Sequence, residues 1–199
     1  NGAVNAGTFA VVGGGNASAA AAATVNANLT ATTAITLNDD ASGAQASLTV
    51  NSTTGAITVT GTINGAGTTE GDLIILDGTA GAAGDLVTIV SAVGATQSLD
   101  TIQIGSATEA GNVLFTSAVT ATNITLDGGN AAEETATAEF RDAITATTIL
   151  LDVNGGGAAT LTVNALNGAK TVAGTINGVN ATDGKLAVID GDDNAAPQA

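Results

Sequence analysis

Histidine, cysteine and tyrosine are all absent from this chain of 199 residues. The usual general bases, thiol nucleophiles and phenolic acids are therefore missing. What remains for chemistry is oxygen: 18 Asp and Glu, and many Thr, Ser and Asn side chains. Paired carboxylates cleave glycosidic bonds, and parallel β-helices do host polysaccharide-cleaving enzymes. Any 18 acids offer pairs, however, and sugar sites usually use aromatic platforms, whereas this chain has only Phe9, Phe115 and Phe140. No catalytic residue is assigned, and the expectation is a protein that is not an enzyme.

Carboxylate oxygens also bind hard cations. Asp190, Asp192 and Asn194 match the opening of a calcium loop, but Ala195 stands where the loop glycine belongs and no twelfth-position Glu follows. Asp39 and Asp40, after Asn38, form a second oxygen cluster, and Asp127 with Asp152 a third. Two readings stand for these groups: solvated turn residues, or weak calcium binding that offsets the charge. No other cofactor is expected. Sequons at Asn16, Asn28, Asn51, Asn123 and Asn180 barely exceed what this composition yields by accident. Glycine-rich stretches lack the Lys and helix start of a phosphate loop and read as turns. Thr-rich segments such as LTATTAITL and AVTATNITL suit an ordered surface, ice or glycan, if their side chains form regular ladders. Outward Thr chosen for strand propensity is the plainer reading.

The formal net charge of −15, with Arg141, Lys170 and Lys185 as the whole positive complement, bounds the partners. Such a surface repels phosphates, so nucleic acid and anionic membranes are poor partners. With no cysteine there is no disulfide framework and no thiolate metal site. No run of 18 apolar residues predicts a membrane-spanning helix, and no signal peptide is evident. The chain reads as a processed or excised piece of a longer precursor.

Internal repetition is the strongest signal about the elements that carry these groups. Residues 48–65, LTVNSTTGAITVTGTING, align without a gap to 161–178, LTVNALNGAKTVAGTING, with 13 identities in 18 positions. The match extends through 62–78 and 175–191 at the same offset of 113, and LTATT at 29–33 meets ITATT at 144–148. A shorter echo pairs FTSAVTATNITLD, 115–127, with FRDAITATTILLD, 140–152, at an offset of 25. About 25 residues suits one coil of a β-solenoid whose equivalent residues stack about 4.7–4.9 Å apart. The echo predicts Phe115 over Phe140, Ile124 over Ile149 and Leu126 over Leu151.

Alternation with period two supports strands in which Leu48 and Val50, Ile57 and Val59, Ile102 and Ile104, and Leu161 and Val163 point one way. Gly, Asn and Asp clusters separate them every 10–15 residues. Val, Ile, Leu and Ala must fill the interior, and such small side chains suit the narrow, repeated core of a solenoid better than a broad globular one. The predicted fold is all-β, a single elongated parallel β-solenoid. Its expected divisions are an N-terminal cap or subunit-joining segment over 1–28, coils over 29–191 and a flexible tail over 192–199. The segment Asn1 to Val12, with Val4, Phe9, Val11 and Val12 as its apolar residues, is the candidate for joining subunits. Ala19 to Ala23 reads as a short helical turn or an irregular cap. Asn130 with Glu133 resembles a helical capping box before AAEETATAEFR, although the 25-residue echo puts Phe140 in strand register.

TGTINGAGTTEGDLIILDG, 60–78, and SLDTIQIGSATEAGNVLFTSAVTATNITLDGG, 98–129, resemble the repetitive strand-rich regions of bacterial surface-layer proteins and of autotransporter-type surface adhesins, including rickettsial outer membrane protein B. The resemblance is largely compositional and covers most of the chain. It implies an exported structural or adhesive role at the cell surface, with no catalytic residues to carry over. The expectation is an extracellular structural protein that partners itself in a fibre or lattice. The alternatives are an adhesin stalk and a module that binds a regular surface such as ice or a cell-surface glycan.

Overall fold

A computed structural model describes residues 2–15, 19–40, 43–53, 55–78, 85–153, 155–165, 168–180 and 183–189. Among them are sixteen strands and no helix. In chain order these are β1 (Val4–Val12), β2 (Ala21–Val25), β3 (Leu29–Asn38), β4 (Ala46–Asn51), β5 (Ile57–Thr60), β6 (Ile63–Gly65), β7 (Asp72–Leu76) and β8 (Val87–Ile89). The rest are β9 (Leu99–Ile104), β10 (Gly111–Phe115), β11 (Val119–Gly128), β12 (Ala136–Phe140), β13 (Ile144–Val153), β14 (Ala159–Asn164), β15 (Val172–Gly178) and β16 (Lys185–Ile189). Every pairing between these strands is parallel, and the chain winds as a β-solenoid of about 7 turns. One sheet runs β1-β3-β5-β8-β10-β12-β14-β16, with β6 also on β3, and the other runs β15-β13-β11-β9-β7-β4-β2.

Alternation decides which side chains enter the core, and the parallel register stacks them. Three inward columns result, here called A, B and C. Column A is Val4, Leu29, Val59, Ile89, Phe115, Phe140, Val163 and Val188. Column B is Phe9, Ile35, Ile63, Val93, Val119, Ile144 and Val172. Column C is Ala23, Leu48, Leu73, Ile102, Ile124, Ile149 and Ile176. The chain visits A, then B, then C in each coil. Long β1 and β3 span A and B, whereas β11 and β13 span B and C. Interior members of each column are buried from end to end, so adhesion between layers replaces a round core.

The predicted stacking holds at each named pair. Phe115 lies on Phe140 with ring centroids 4.8 Å apart and an interplanar angle of 13°, Ile124 pairs with Ile149, and Leu126 pairs with Leu151. Parallel, in-register strands force this near-face-to-face geometry, because identical side chains recur at the ladder spacing.

The duplication takes a form that alignment alone does not show. At the 113-residue offset, Leu48 and Leu73 of column C correspond to Leu161 and Leu186 on the strands of column A. Val59 of column A corresponds to Val172 of column B, and Ile63 of column B to Ile176 of column C. The second copy is thus advanced by one face throughout. Its turns are reproduced as well. Gly71 and Gly184 hold positive φ of 79° and 78°, and a Cβ on either would strike the Cβ of Leu37 or of Leu151 respectively. Only glycine lets the chain pass so close to the coil beneath in that conformation.

Residues 1–28 were expected to form an N-terminal cap or a subunit-joining segment; within them β1 and β2 continue the ladder. β1 pairs in parallel with β3 from Val4↔Leu29 to Val12↔Asn38, and β2 pairs with β4 from Ala21↔Ala46 to Val25↔Val50. The alanine run is accordingly strand from Ala21, because pairing with β4 satisfies its backbone and outweighs alanine's helix propensity. After Asn130 there is a turn rather than a helix: Glu134, not Glu133, closes it by accepting from the Ala131 N–H at 2.7 Å, and β12 follows. The tail 192–199 lies outside the described residues.

Candidate functional site

Several of the acids accept from backbone amides in turns. Asp39 accepts from the Ala46 N–H at 2.6 Å through Oδ1 and from the Gly71 N–H at 3.1 Å through Oδ2. Oδ1 therefore ties the turn after β3 to the start of β4 and Oδ2 ties it to the next coil, and Asp40 beside it is likewise engaged. Glu70 accepts from Gly67 N–H at 2.9 Å and Asp183 from Asn180 N–H at 2.7 Å. These last two are equivalent positions of the duplication, and the same three-residue carboxylate turn recurs at Glu134. A charged acceptor on a backbone donor is among the stronger local hydrogen bonds. Among the described residues no group of three or more Asp or Glu is arranged to hold a metal ion. Asp190, Asp192 and Asn194, and the sequon at Asn16, lie outside the described residues.

One carboxylate departs from this pattern and was not singled out by sequence. Asp77, just after β7, is only 6% exposed, and its Oδ1 is buried without a hydrogen-bond partner. Burial, reinforced by the Asp85 and Glu109 carboxylates, pushes its carboxyl up to about 6. Asp72 is raised for the same reasons, first by burial and then by Asp100 and Asp39. Such perturbation marks functional sites in many proteins, but the charged groups that act on Asp77 here are carboxylates alone, Asp85 and Glu109. A surface depression of ≈ 280 Å³ is lined by Val153, Gly157, Ala158, Ala159, Thr160, Gly184 and Lys185, and so brings no carboxylate pair together.

Thr ladders on the outer faces are short. Thr58 meets Thr88, but the next rung is Leu114, and Thr125 sits between Gln103 and Leu150. The segments LTATTAITL and AVTATNITL therefore do not build an uninterrupted Thr plane. Two of the three cations are spent in ion pairs, Arg141 with Glu139 at 2.7 Å and Lys170 with Asp142 at 3.3 Å.

The surfaces that stand apart are the two ends of the solenoid. At the amino-terminal end β1 is a terminal strand. Val4 and Phe9 pack partly against the core, Val11 is buried and Val12 is 55% exposed. The candidate joining residues are thus the first rung of their own ladder among the described residues, with β3 as the one strand paired to them. At the other end β15 and β16 terminate the two sheets. Leu186 and Val188 there are 47% and 73% exposed, although their duplicates Leu73 and Ile75 are fully buried. Among the described residues, no helix is long and apolar enough to cross a membrane.

Comparison of the chain with protein-family models, with curated proteins and with solved structures finds no match.

Proposed function

We propose that this protein is a non-catalytic, extracellular structural subunit, which builds a cell-surface layer or fibre by stacking its β-coils on those of other copies. The observation that carries the reading is that, among the described residues, Leu186, Val188 and Ile189 are exposed on β16, the last parallel strand of its sheet. An edge of unpaired backbone groups flanked by large apolar side chains is a template for further strands, and natural proteins usually blunt it. Here the last strand offers Lys185 alone as a blunting charge. A head-to-tail contact of this kind does not close on itself and so propagates. The composition supports the same role, since aliphatic stacking supplies cohesion without disulfides, and a strongly acidic surface keeps the sides of neighbouring rods apart. Calcium would serve here only as a screening counterion.

Concentration dependence tests this. Purified chain examined by negative-stain electron microscopy and light scattering is expected to grow rods whose length increases with protein concentration. Isolated short rods at every concentration would overturn the polymer and leave the adhesin stalk, which holds a binding tip away from the cell. The interrupted Thr ladders weigh against binding to ice or a regular glycan layer.

A further inference from the structure

From the phase of the internal duplication we infer how two copies meet: each successive copy docks head to tail and is turned by one face of the solenoid. The inference rests on the self-assembly reading and adds its geometry. The terminal strands β15 and β16 are the duplicates of β5, β6 and β7. In the interior those three strands are covered by the next coil, Ile89 on Val59, Val93 on Ile63, Ile102 on Leu73 and Ile104 on Ile75. Among the described residues, β15 and β16 are therefore an interior layer of this solenoid left uncovered. What covers it elsewhere in the molecule is a parallel coil with aliphatic residues facing inward. The amino-terminal coil of a second copy, β1 with β2, is such a coil with a free edge.

Winding decides the register. Among the described residues, column A has one more member than columns B and C, because β16 projects beyond the last complete coil. If the incoming copy set its column A on column A, with Val4 on Val188, columns B and C would each lack a rung and leave a gap one strand deep. Turned by one face, the copy continues the winding without a gap. Val4 then stacks on Val172, Phe9 on Ile176, Ala23 on Leu186 and Val25 on Val188. This is the advance that the chain already makes internally, where each element of 48–76 is carried forward one face in 161–189. The faces accept one another's sequences, so the turned joint asks for no pairing absent from the interior.

The absence of cysteine makes the joint readable by introduced thiols. In the turned register Thr24, outward on β2, comes beside Ala187, as Gln103 lies beside Ile74 within the chain. In the unturned register Ala3 would lie beside Ala187 instead. Equimolar mixtures of the single variants Thr24→Cys and Ala187→Cys, or of Ala3→Cys and Ala187→Cys, are allowed to assemble and treated with a short bismaleimide. All three are small changes at outward positions, and native circular dichroism and unchanged rod growth before cross-linking verify each variant. The Thr24 and Ala187 mixture is expected to give at least ten times more cross-linked dimer than the other. Rods that form with equal yields, or with the Ala3 pair favoured, overturn the turned joint and leave self-assembly standing. Failure to form rods at all removes both.

Discussion

Asp77 shows how a single side chain in a thin core becomes sensitive to pH. Its carboxyl is raised from 3.8 to about 6 by burial first and then by Asp85 and Glu109, so the native state favours the neutral acid. The native protein therefore binds more protons than the unfolded chain between about pH 4 and 6. The stability contributed by the neutral group is fully present below the unfolded value and is lost as the pH rises through the folded one. Moving from pH 7 to pH 5 is expected to raise the urea midpoint, and Asp77→Asn, which stays neutral, should reduce that gain. Asp72 is raised too and contributes its own share, so the comparison is between wild type and variant. An equal pH response in both would show that Asp77 is not the group responsible. Nothing in the alternation marks this residue, since Asp-Gly at 77–78 reads as a turn, and only the folded chain reveals that the turn is covered. Asp39 is the converse case. Its type and neighbours left two readings, a solvated turn residue or a weak calcium ligand, and both its oxygens accept from backbone amides.

The turns carry the information at the scale of elements. Gly71 enters β7 with φ of 79° directly over Leu37, and its N–H is held by Asp39. Gly71→Ala combines a left-handed alanine with a collision in a packed layer, for an expected loss of about 2–4 kcal/mol. Gly43 has a similar φ of 86° but open space around its Cβ position. Gly43→Ala should therefore cost only the conformational part, about 1–2 kcal/mol. Urea titrations of the two variants check the difference, and equal losses would mean that the close approach to Leu37 is relieved at no cost. Strand identity and inward residues were largely legible beforehand: Leu48 and Val50, Ile102 and Ile104, and Leu161 and Val163 are buried as alternation requires. The first coil was less so. Ala21 to Val25 carries little apolar contrast, and its place in the ladder comes from pairing with Ala46 to Val50 rather than from its own pattern.

Across the whole molecule, each coil rests only on its neighbours, so stability is a sum of layer contacts. Under conditions that keep the chain monomeric, amide exchange is expected to be slowest in β8 to β11, which have covered strands on both sides. It should be fastest in β1, β2, β15 and β16, which among the described strands are covered on one side only. Uniform protection from end to end would point to one all-or-none unit and away from a layered one. The same layering explains what sequence alone determined. Repeated alternation and the 25-residue echo sufficed for an all-β, parallel solenoid with Phe115 on Phe140, because inward and outward are properties of a strand and stacking is a property of its repeat. The tertiary structure alone decided which of three faces each strand takes, and so that the second copy of the duplication is advanced by one face. Backbone ladders bind any strand of suitable length. The phase therefore depends on accumulated turn lengths along the whole chain, a quantity that no local pattern of residues records.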